Sequence, residues 1–535
     1  MPYLLLARTE LQMKIAETYG YIYDELVSTL YDLYEGVPAK DKPSVAVRAL
    51  TSAESNKARQ FAASWGGVFE RQLRQRLPAD LQDREQTLTI ADNRLREELV
   101  AAEFGRATPV KTIDDIKREL ANIEGDIEIL KRELHTRYAA YAAIRYPEPL
   151  RLENLKLREG ETVLEYKVAD AATYVWTIKQ VGSSSPQVRF SKLDISEREL
   201  SAEVQKVVNS IHPGVSQRNF TTTSGRLSRT LLPPGIFADV VGAKKLVIIP
   251  DGPLFLIPFE LLTPSNVPTS PYPLLAIPTS YYPSAAALRA RRIAVSSSTW
   301  DRTLFAMADP VTSREDPRFD LGNVVRSGIL PDTASTTGND LVKRGFDLSP
   351  LPGTRDEVNK IAQLFSAEHD DVVVRTDMHA TRAEILRTDL SRFKFLHFAT
   401  HALLPVETRM GEPALVLSFD SDDRSMLLSL SDVLGLKLNA DMVVLSACNT
   451  GRGRISRAEG VSSLAQAFMA AGAASSTVSL WQVADDSTAA LMQEFYRNLL
   501  AGQPKNVALA RARRALKGRG YDSVFYWAPF VLYGE

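Results

Sequence analysis

The sequence has little of what defines several protein classes: cysteine, long apolar runs and an excess of charge of one sign. Its 535 residues include one cysteine, Cys448, which excludes an internal disulfide and a zinc site built from several cysteines. No apolar run approaches the ~18 residues that a membrane helix needs. The formal net charge of -1 gives no electrostatic reason to expect nucleic acid or an anionic membrane as a partner.

The amino terminus and the cysteine content bear on location. Residues 1–8 contain a short apolar stretch with no basic residue before it, which makes a poor secretory signal. A lone thiol fits a reducing compartment. We therefore expect a cytoplasmic protein without a membrane anchor.

Residues 1–146 have the pattern of an all-helical domain. Thr112 is a predicted N-cap, and the apolar residues after it recur at alternating steps of three and four, which is a heptad seam. The seam consists of Ile113, Ile116, Leu120, Ile123, Ile127, Leu130 and Leu134. An earlier helix around 88–104 can pair with it through a turn at 105–109, and another amphipathic helix is predicted over 50–75. An antiparallel hairpin within the domain is favoured, and dimerisation between two chains is the alternative.

The pattern changes at the prolines of 146–149, which break the helix. Strands are predicted at 162–166, 172–178, 246–249, 304–308, 372–375, 393–399, 415–419, 442–447, 477–483 and 525–533. Helical patterns lie between several of them, which predicts an α/β fold with a mainly parallel central sheet covered by helices. The domains expected are 1–146, 147–300 and 301–535. Residues 309–352 are predicted to form a long loop.

Two of these strands end at residues that can do chemistry. The strand 393–399 is followed by His401, and the strand 442–447 by Cys448, 47 residues later. Ligands in open α/β sheets bind outside the carboxyl ends of strands, and a thiol beside an imidazole is the minimum set for catalysis by cysteine. Caspases have a similar separation of about 50 residues. The alternative is that Cys448 is a small buried hydrophobe.

His397 and His401 do not form a metal site in this interpretation. On a strand, four residues span ~13 Å, so one ion cannot bridge both rings. We therefore expect neither a metal nor a cofactor. His397 lies inside the apolar run and is predicted to be a hydrogen-bonded core residue. His401 follows the run, where we expect it to reach solvent and substrate.

Several short motifs in the chain resemble those of one family. They are PDGPL (250–254), LPGTR (351–355), HFATH (397–401), LSACNTG (445–451), EGV (459–461), QAFMAAGA (466–473), SLWQVAD (479–485) and WAPFVLYG (527–534). In this order they resemble the CHAT-domain family, caspase-like proteins of the clan of caspases and separase that are often linked to tetratricopeptide repeats. The resemblance covers roughly 150–535, and no 34-residue repeat is recognisable before it.

The resemblance implies a caspase–separase-like fold and a cysteine endopeptidase with a dyad of His401 and Cys448. The thiolate would attack the scissile carbonyl, and His401 would protonate the leaving amine. By analogy, the backbone N–H groups of Cys448 and Ala402 would hold the oxyanion. The family commonly has glycine after the histidine. Ala402 keeps the N–H but disfavours positive φ, so the second donor is in question. No group that orients His401 can be identified.

The segment from Trp481 to Asp485 resembles the separase pattern in which a tryptophan strand leads to an S1 aspartate. We expect Asp485, with Asp486 as the substitute, to bind a basic P1 side chain through a charge-assisted bond. The alternative is that these acids and Ser487 begin the next helix, where acids are favoured.

A basic loop follows the cysteine and contains Arg452, Arg454 and Arg457. A solvated loop is the default interpretation. The alternative is an activation or self-cleavage site, since a basic P1 preference would match it.

The favoured function is therefore a cysteine endopeptidase that cleaves a protein substrate after a basic residue. A regulatory protein or signal is expected to act through the N-terminal helices. One alternative is a catalytically inactive caspase-like scaffold or interaction module, and another is a thiol-dependent acyltransferase. The oligomeric state stays open.

Overall fold

A computed structural model of the chain describes residues 20–61, 74, 77–103, 111–138, 141, 142, 145, 146, 150–182, 185–263, 272–293, 299–313, 315–319, 348–365, 371–403, 412–419, 426–446, 448, 449, 459–481 and 485–535. They fall into two compact units, one drawn from Gly20 and 54–149 and the other from 21–53 together with 150–535. Among the helices described, none is long and apolar enough to cross a membrane.

The helices, labelled in chain order, alternate with strands after residue 150. They are α1 (20–36), α2 (Lys42–Phe61), α3 (Ala79–Glu103), α4 (Ile113–Arg137), α5 (Glu197–Asn209), α6 (Gln217–Leu231), α7 (Pro234–Val241), α8 (Ala285–Ile293), α9 (Pro352–Gln363), α10 (Arg382–Arg387), α11 (Leu430–Gly435), α12 (Glu459–Ala470), α13 (Asp485–Leu500), α14 (Lys505–Gly518) and α15 (Val524–Trp527). Short 3-10 turns occur at Leu152–Leu155, Gly252–Leu256, Phe259–Leu261, Pro273–Ala276 and Leu390–Arg392.

The strands are β1 (Glu161–Val168), β2 (Thr173–Lys179), β3 (Gln187–Leu193), β4 (Lys245–Ile249), β5 (Thr279–Tyr281), β6 (Arg302–Pro310), β7 (Val372–Asp377), β8 (Phe393–Ala399), β9 (His401–Leu403), β10 (Ala414–Val416), β11 (Leu427–Ser429), β12 (Met442–Leu445), β13 (Cys448–Asn449), β14 (Ser475–Ser479) and β15 (Phe530–Gly534).

The heptad seam forms the predicted hairpin in the first unit. Thr112 caps α4 by accepting a hydrogen bond from the Asp115 backbone N–H at 3.2 Å. The seam residues Ile116, Leu120, Leu130 and Leu134 are buried. They pack against Leu81, Leu88 and Leu95 of α3, with the early part of α4 against the late part of α3. The prediction of an antiparallel hairpin within one chain is confirmed. The predicted turn at 105–109 lies outside the described residues.

One large sheet organises the second unit, in the order β3-β2-β1-β4-β5-β15-β14-β12-β8-β6-β7. Neighbours are parallel except at β1–β2, β2–β3 and β14–β15. Its central strands are buried along their length, as expected for apolar runs covered on both faces. The predicted fold class is confirmed: a mainly parallel sheet with helices, in a chain that also has an all-α region before it.

The segment 21–53 belongs to the unit that contains the sheet. The side chains of Val27 and Leu50 share an apolar cluster with Trp176 and Phe190. The Trp176 indole N–H donates to the carbonyl of Ala46 at 2.9 Å. The predicted helical domain 1–146 is thus divided, with its early helices covering β2 and β3. The second half of the predicted helix at 50–75 lies outside the described residues.

The predicted strand at 525–533 is wrong in its first half. Residues 524–527 form α15, because the Ser523 hydroxyl accepts from the Phe525 N–H at 3.3 Å and starts a helical turn. The strand β15 begins only after Pro529. Its antiparallel pairing with β14 and parallel pairing with β5 connect the two parts of the sheet.

A second, four-stranded sheet has the order β11-β10-β9-β13. It starts directly after β8, with Thr400 as the single residue between β8 and β9. Its apolar side chains, including Leu403 and Val416, pack with Leu348, which precedes α9. The two residues that the sequence singled out for catalysis both belong to this small sheet, His401 in β9 and Cys448 in β13.

Candidate active site

Two parallel strands of the large sheet, β8 and β12, lead into the site. They are paired with Val444 opposite His397, and the N–H of Ser446, just beyond the end of β12, donates to the Phe398 carbonyl of β8 at 2.9 Å. The chain then continues into β9 and β13, which are again parallel, with Cys448 opposite His401. Neighbouring strands are ~4.8 Å apart, so the backbones of the predicted dyad are adjacent. The side chain of Cys448 lies outside what the structure describes.

His401 is 4% exposed, and its Nε2 is 2.9 Å from the carbonyl oxygen of Ser349. A carbonyl only accepts, so Nε2 carries the hydrogen, and in the neutral ring the lone pair is on Nδ1. Ser349 is thus an orienting group that the sequence did not reveal. The expectation that His401 reaches solvent is wrong for this conformation, because β9 continues the chain into the small sheet.

The Ser349 carbonyl is held by contacts on both sides. The Leu348 side chain is buried, and its carbonyl accepts from the Thr312 hydroxyl at 2.7 Å. The Leu351 N–H donates to Asp309 at 2.8 Å. These contacts fix the short segment before α9, and they lie at the two ends of the predicted loop 309–352. Residues 314 and 320–347 of that loop lie outside the described part of the chain.

A charged cluster surrounds Asp309 at the carboxyl ends of β6 and β7. Asp309 is 1% exposed and accepts from Arg318 at 2.6 Å and from Arg355 at 2.8 Å. Asp377 accepts from the same two arginines. Asp309 and Asp377 have φ of 45° and 53°, a conformation that aspartate tolerates better than most residues. The hydrogen bond from Arg318 lowers the pKa of Asp316. The cluster thus accounts for Arg355 in the LPGTR motif.

A second buried network lies under the strand ends. His397 is fully buried, with Nε2 at 2.9 Å from Glu357 and Nδ1 at 3.2 Å from the Tyr496 hydroxyl. The prediction of a hydrogen-bonded core histidine is confirmed. Glu357, on α9, also accepts from the Ser446 hydroxyl at 3.2 Å. Burial and the nearby Glu357 carboxylate raise the pKa of Tyr496 well above its usual range. Glu357 was missed from the sequence, although it stands one turn before the buried Ile361 on α9.

Ala402 is the middle residue of β9, with Leu415 of β10 opposite on one side and Asn449 of β13 on the other. The position is extended, so alanine fits without strain. The backbone here does not have the positive φ that would call for glycine. A strand residue directs its N–H toward one neighbouring strand. The predicted oxyanion role of this N–H therefore depends on which side of β9 it faces.

The predicted S1 residues lie around the start of α13. The Trp481 indole N–H donates to the Phe525 carbonyl at 3.0 Å, which fixes Trp481 two residues after the end of β14. Asp485 and Asp486 are the first residues of α13, and Asp486 is exposed. The alternative that these acids begin a helix agrees with this placement. The side chain of Asp485 and the loop residues Arg452, Arg454 and Arg457 lie outside the described residues.

Gly472 explains part of the motif at 466–473. It follows α12 with φ of 122°, and a Cβ at this position would be 2.1 Å from the Leu438 carbonyl oxygen. The Leu438 N–H donates to Ala471 at 2.9 Å. The end of α12 can therefore approach the segment leading into β12 only with glycine here.

Together these features define a class: an α/β protein with a mainly parallel sheet, whose strand ends bring a histidine and a cysteine to adjacent backbone positions. A sequence model of the CHAT domain matches residues 221–535, which is more than half of the chain. The chain therefore belongs to the CHAT-domain family, and the predicted resemblance is confirmed.

The curated relatives are much longer than this chain. Tetratricopeptide repeat protein 28 of Homo sapiens is 26% identical over an alignment of 327 residues that covers 55% of this chain and 12% of that protein. The same protein of Mus musculus is 27% identical over an alignment of 218 residues that covers 35% of this chain and 9% of that protein.

Among solved structures, two crystal structures of the Saccharomyces cerevisiae separase–securin complex are similar at 9% identity. One has a TM-score of 0.44 and covers 95% of this chain and 37% of that one. The other has a TM-score of 0.41, with 98% and 40% covered.

Proposed function

We propose that this protein is a cysteine endopeptidase with a dyad of His401 and Cys448. The observation that carries the proposal is the register of β9 and β13, in which Cys448 is opposite His401. The hydrogen bond from His401 Nε2 to the Ser349 carbonyl supports it, because it leaves Nδ1 as the proton-accepting nitrogen of the neutral ring. Membership of a family with caspase-like domains adds to this support.

The reaction follows from these positions. His401 takes the thiol proton of Cys448, and the thiolate attacks the carbonyl carbon of the scissile peptide. The C–N bond breaks as the imidazolium gives its proton to the leaving amine, which leaves a thioester on Cys448. Water, deprotonated by His401, then hydrolyses the thioester and releases the acid and the thiol. The proposed oxyanion donors are the backbone N–H groups of Cys448 and Ala402.

The proposed substrate is a protein with a basic P1 residue, bound by Asp485 or, as the substitute, by Asp486. A carboxylate favours arginine or lysine through charge-assisted hydrogen bonds. The burial of His401 supports a resting state that is closed to substrate. We therefore include regulation by a partner or signal, acting through the N-terminal helices or the loop with Arg452, Arg454 and Arg457.

The test is a peptide-library cleavage profile of the wild type against Cys448→Ala and His401→Ala. We expect cleavage after arginine or lysine by the wild type, and a loss of about 1,000-fold or more in either variant, because each removes one member of the dyad. Asp485→Asn should lower kcat/KM for basic P1 reporters, and a loss in Asp486→Asn alone would instead assign the pocket to Asp486. Equal cleavage by wild type and Cys448→Ala would contradict the proposal. Arg and Lys reporters cleaved no faster than Asp or Leu reporters would contradict the S1 assignment.

A non-catalytic caspase-like scaffold is the second candidate. The buried His401 favours it, as does the similarity to proteins that are named for tetratricopeptide repeats and not for peptidase activity. A thiol-reactive peptide probe separates the two candidates. A peptidase predicts labelling of Cys448 in the wild type and little labelling in His401→Ala, whereas a scaffold predicts the same slow labelling in both.

A further inference from the structure

Glu357 is a buried carboxylate at the meeting point of three segments that form the candidate site. It is 1% exposed and lies on α9, eight residues after Ser349 in the sequence. One oxygen contacts the His397 ring at 2.9 Å, four residues before His401. The other accepts from the Ser446 hydroxyl at 3.2 Å, two residues before Cys448. One side chain thus contacts the strands that lead to both members of the dyad.

We propose that Glu357, together with His397, is a positioning residue that holds the ends of β8 and β12 in the register that brings His401 opposite Cys448. The inference deepens the proposed function and depends on it for the identity of the reactive pair. Neither residue touches substrate in this proposal. Their effect reaches the site through the backbone of the two strands and through the segment before α9.

The chemistry of the network supports a positioning role. A carboxylate only accepts, so it can receive the Nε2 hydrogen of His397 and the Ser446 hydroxyl hydrogen at once. The Tyr496 hydroxyl, 3.2 Å from Nδ1, holds the other side of the ring. Because all of these groups are buried, separating any pair leaves a polar group without its partner in a medium of low dielectric. The network therefore resists sliding of β8 against β12.

The substitution Glu357→Gln tests this with little change in volume. The two contacts use different carboxylate oxygens, and the amide replaces one of them with an NH2 group, so it loses the negative charge and can no longer accept from His397 and Ser446 through separate oxygens. Ser446→Ala removes the contact with β12 alone and is the milder variant if Glu357→Gln does not fold. The matched control is Glu260→Gln. Glu260 is also 1% exposed and is bound to Tyr281 at 2.6 Å and to Arg513, beside β5 and β15.

Two measurements on the full chain separate positioning from general destabilisation. The first is hydrogen–deuterium exchange of peptides covering 395–403 and 442–449. The second is the pH profile of iodoacetamide alkylation, read by intact mass, which reports on Cys448 because the sequence has no other cysteine. We expect Glu357→Gln and Ser446→Ala to speed exchange in both peptides by about tenfold. This is the change in rate that corresponds to losing one buried hydrogen bond to a charged group. We also expect both variants to move the alkylation profile toward that of His401→Ala, and Glu260→Gln to do neither.

The outcomes distinguish this inference from the proposed function. If exchange and alkylation in both network variants match those of Glu260→Gln, the positioning role is overturned, whatever the peptidase assays show. If His401→Ala alkylates like the wild type, the dyad is unreactive and the proposed function fails. Faster exchange at the two strand ends in Glu357→Gln would still support positioning of those ends. A change in melting temperature alone, without either site readout, counts against the inference.

Discussion

Ala402 stands where the resemblance led us to expect glycine, and its extended conformation gives that difference a testable meaning. We predict that Ala402→Gly does not raise kcat/KM, because the backbone at this position already suits alanine. We also predict a loss of about 0.5–1 kcal/mol in the free energy of unfolding, since glycine is unfavourable inside a strand. Peptide cleavage and urea unfolding are the measurements.

The matched control is Ala414→Gly, in the adjacent strand β10 and also buried. It should show a similar loss of stability and unchanged cleavage. A rise of about tenfold or more in kcat/KM for Ala402→Gly alone would mean that the active conformation needs positive φ at this residue.

At the scale of single residues, the sequence predicts side chains better than backbone groups. Cys448, His401 and His397 stand out because cysteine and histidine are rare here and two of them follow apolar runs. The Ser349 carbonyl has no such signal, since every residue has a carbonyl. Glu357 does have a usable signal in the sequence, because a charged residue on the buried face of a helix must find a buried partner.

At the scale of the element, the helical hairpin of the first unit allows a direct test. Leu130 is 1% exposed in the seam of α4, and the neighbouring Ile129 is 47% exposed. We predict that Leu130→Ala lowers the free energy of unfolding by about 2–5 kcal/mol, because it leaves a cavity between α3 and α4. Thermal unfolding followed by circular dichroism is the measurement.

Ile129→Ala on the same helix is the control, and its effect should be within about 0.5 kcal/mol. Sedimentation should give one and the same oligomeric state for the wild type and both variants, because the seam is used within the chain. Dissociation of an oligomer by Leu130→Ala would instead indicate pairing between chains.

Element prediction worked where apolar runs are long enough to show a period. The run at 393–399 coincides with β8, and the heptad seam coincides with most of α4. The strands β9 and β13 have three and two residues, too short for any periodicity, so the sheet that contains the candidate dyad was not predicted. The first half of the strand predicted at 525–533 was wrong because aromatic residues favour strands, whereas the cap at Ser523 starts a helical turn.

At the scale of the whole sheet-containing unit, a buried ion pair joins its two parts. Arg513 of α14, 2% exposed, contacts Glu260 and the carbonyl of Phe530 in β15. Glu260 also accepts from Tyr281 of β5. We predict that Arg513→Met lowers the free energy of unfolding by about 3–5 kcal/mol, because it leaves a buried carboxylate without its cation. Urea unfolding measures this.

The double variant Glu260→Gln/Arg513→Met provides the control for this prediction. It should cost less than the sum of the two single variants, since it leaves no unpaired charge. Costs that simply add would show that the two side chains act independently and that the pair does not join the parts of the sheet.

Thr400, the single residue between β8 and β9, limits how the chain can change in length. In a strand, successive side chains alternate between faces, so one residue inserted between His397 and His401 would turn the imidazole to the opposite side. The same holds between Ser446 and Cys448. Homologous chains that keep the dyad should therefore keep these two short spacings fixed, while the number of residues separating His401 from Cys448 is free to vary. A comparison of insertions and deletions among homologous chains, without regard to residue identity, would then locate the site as two short segments of constant length.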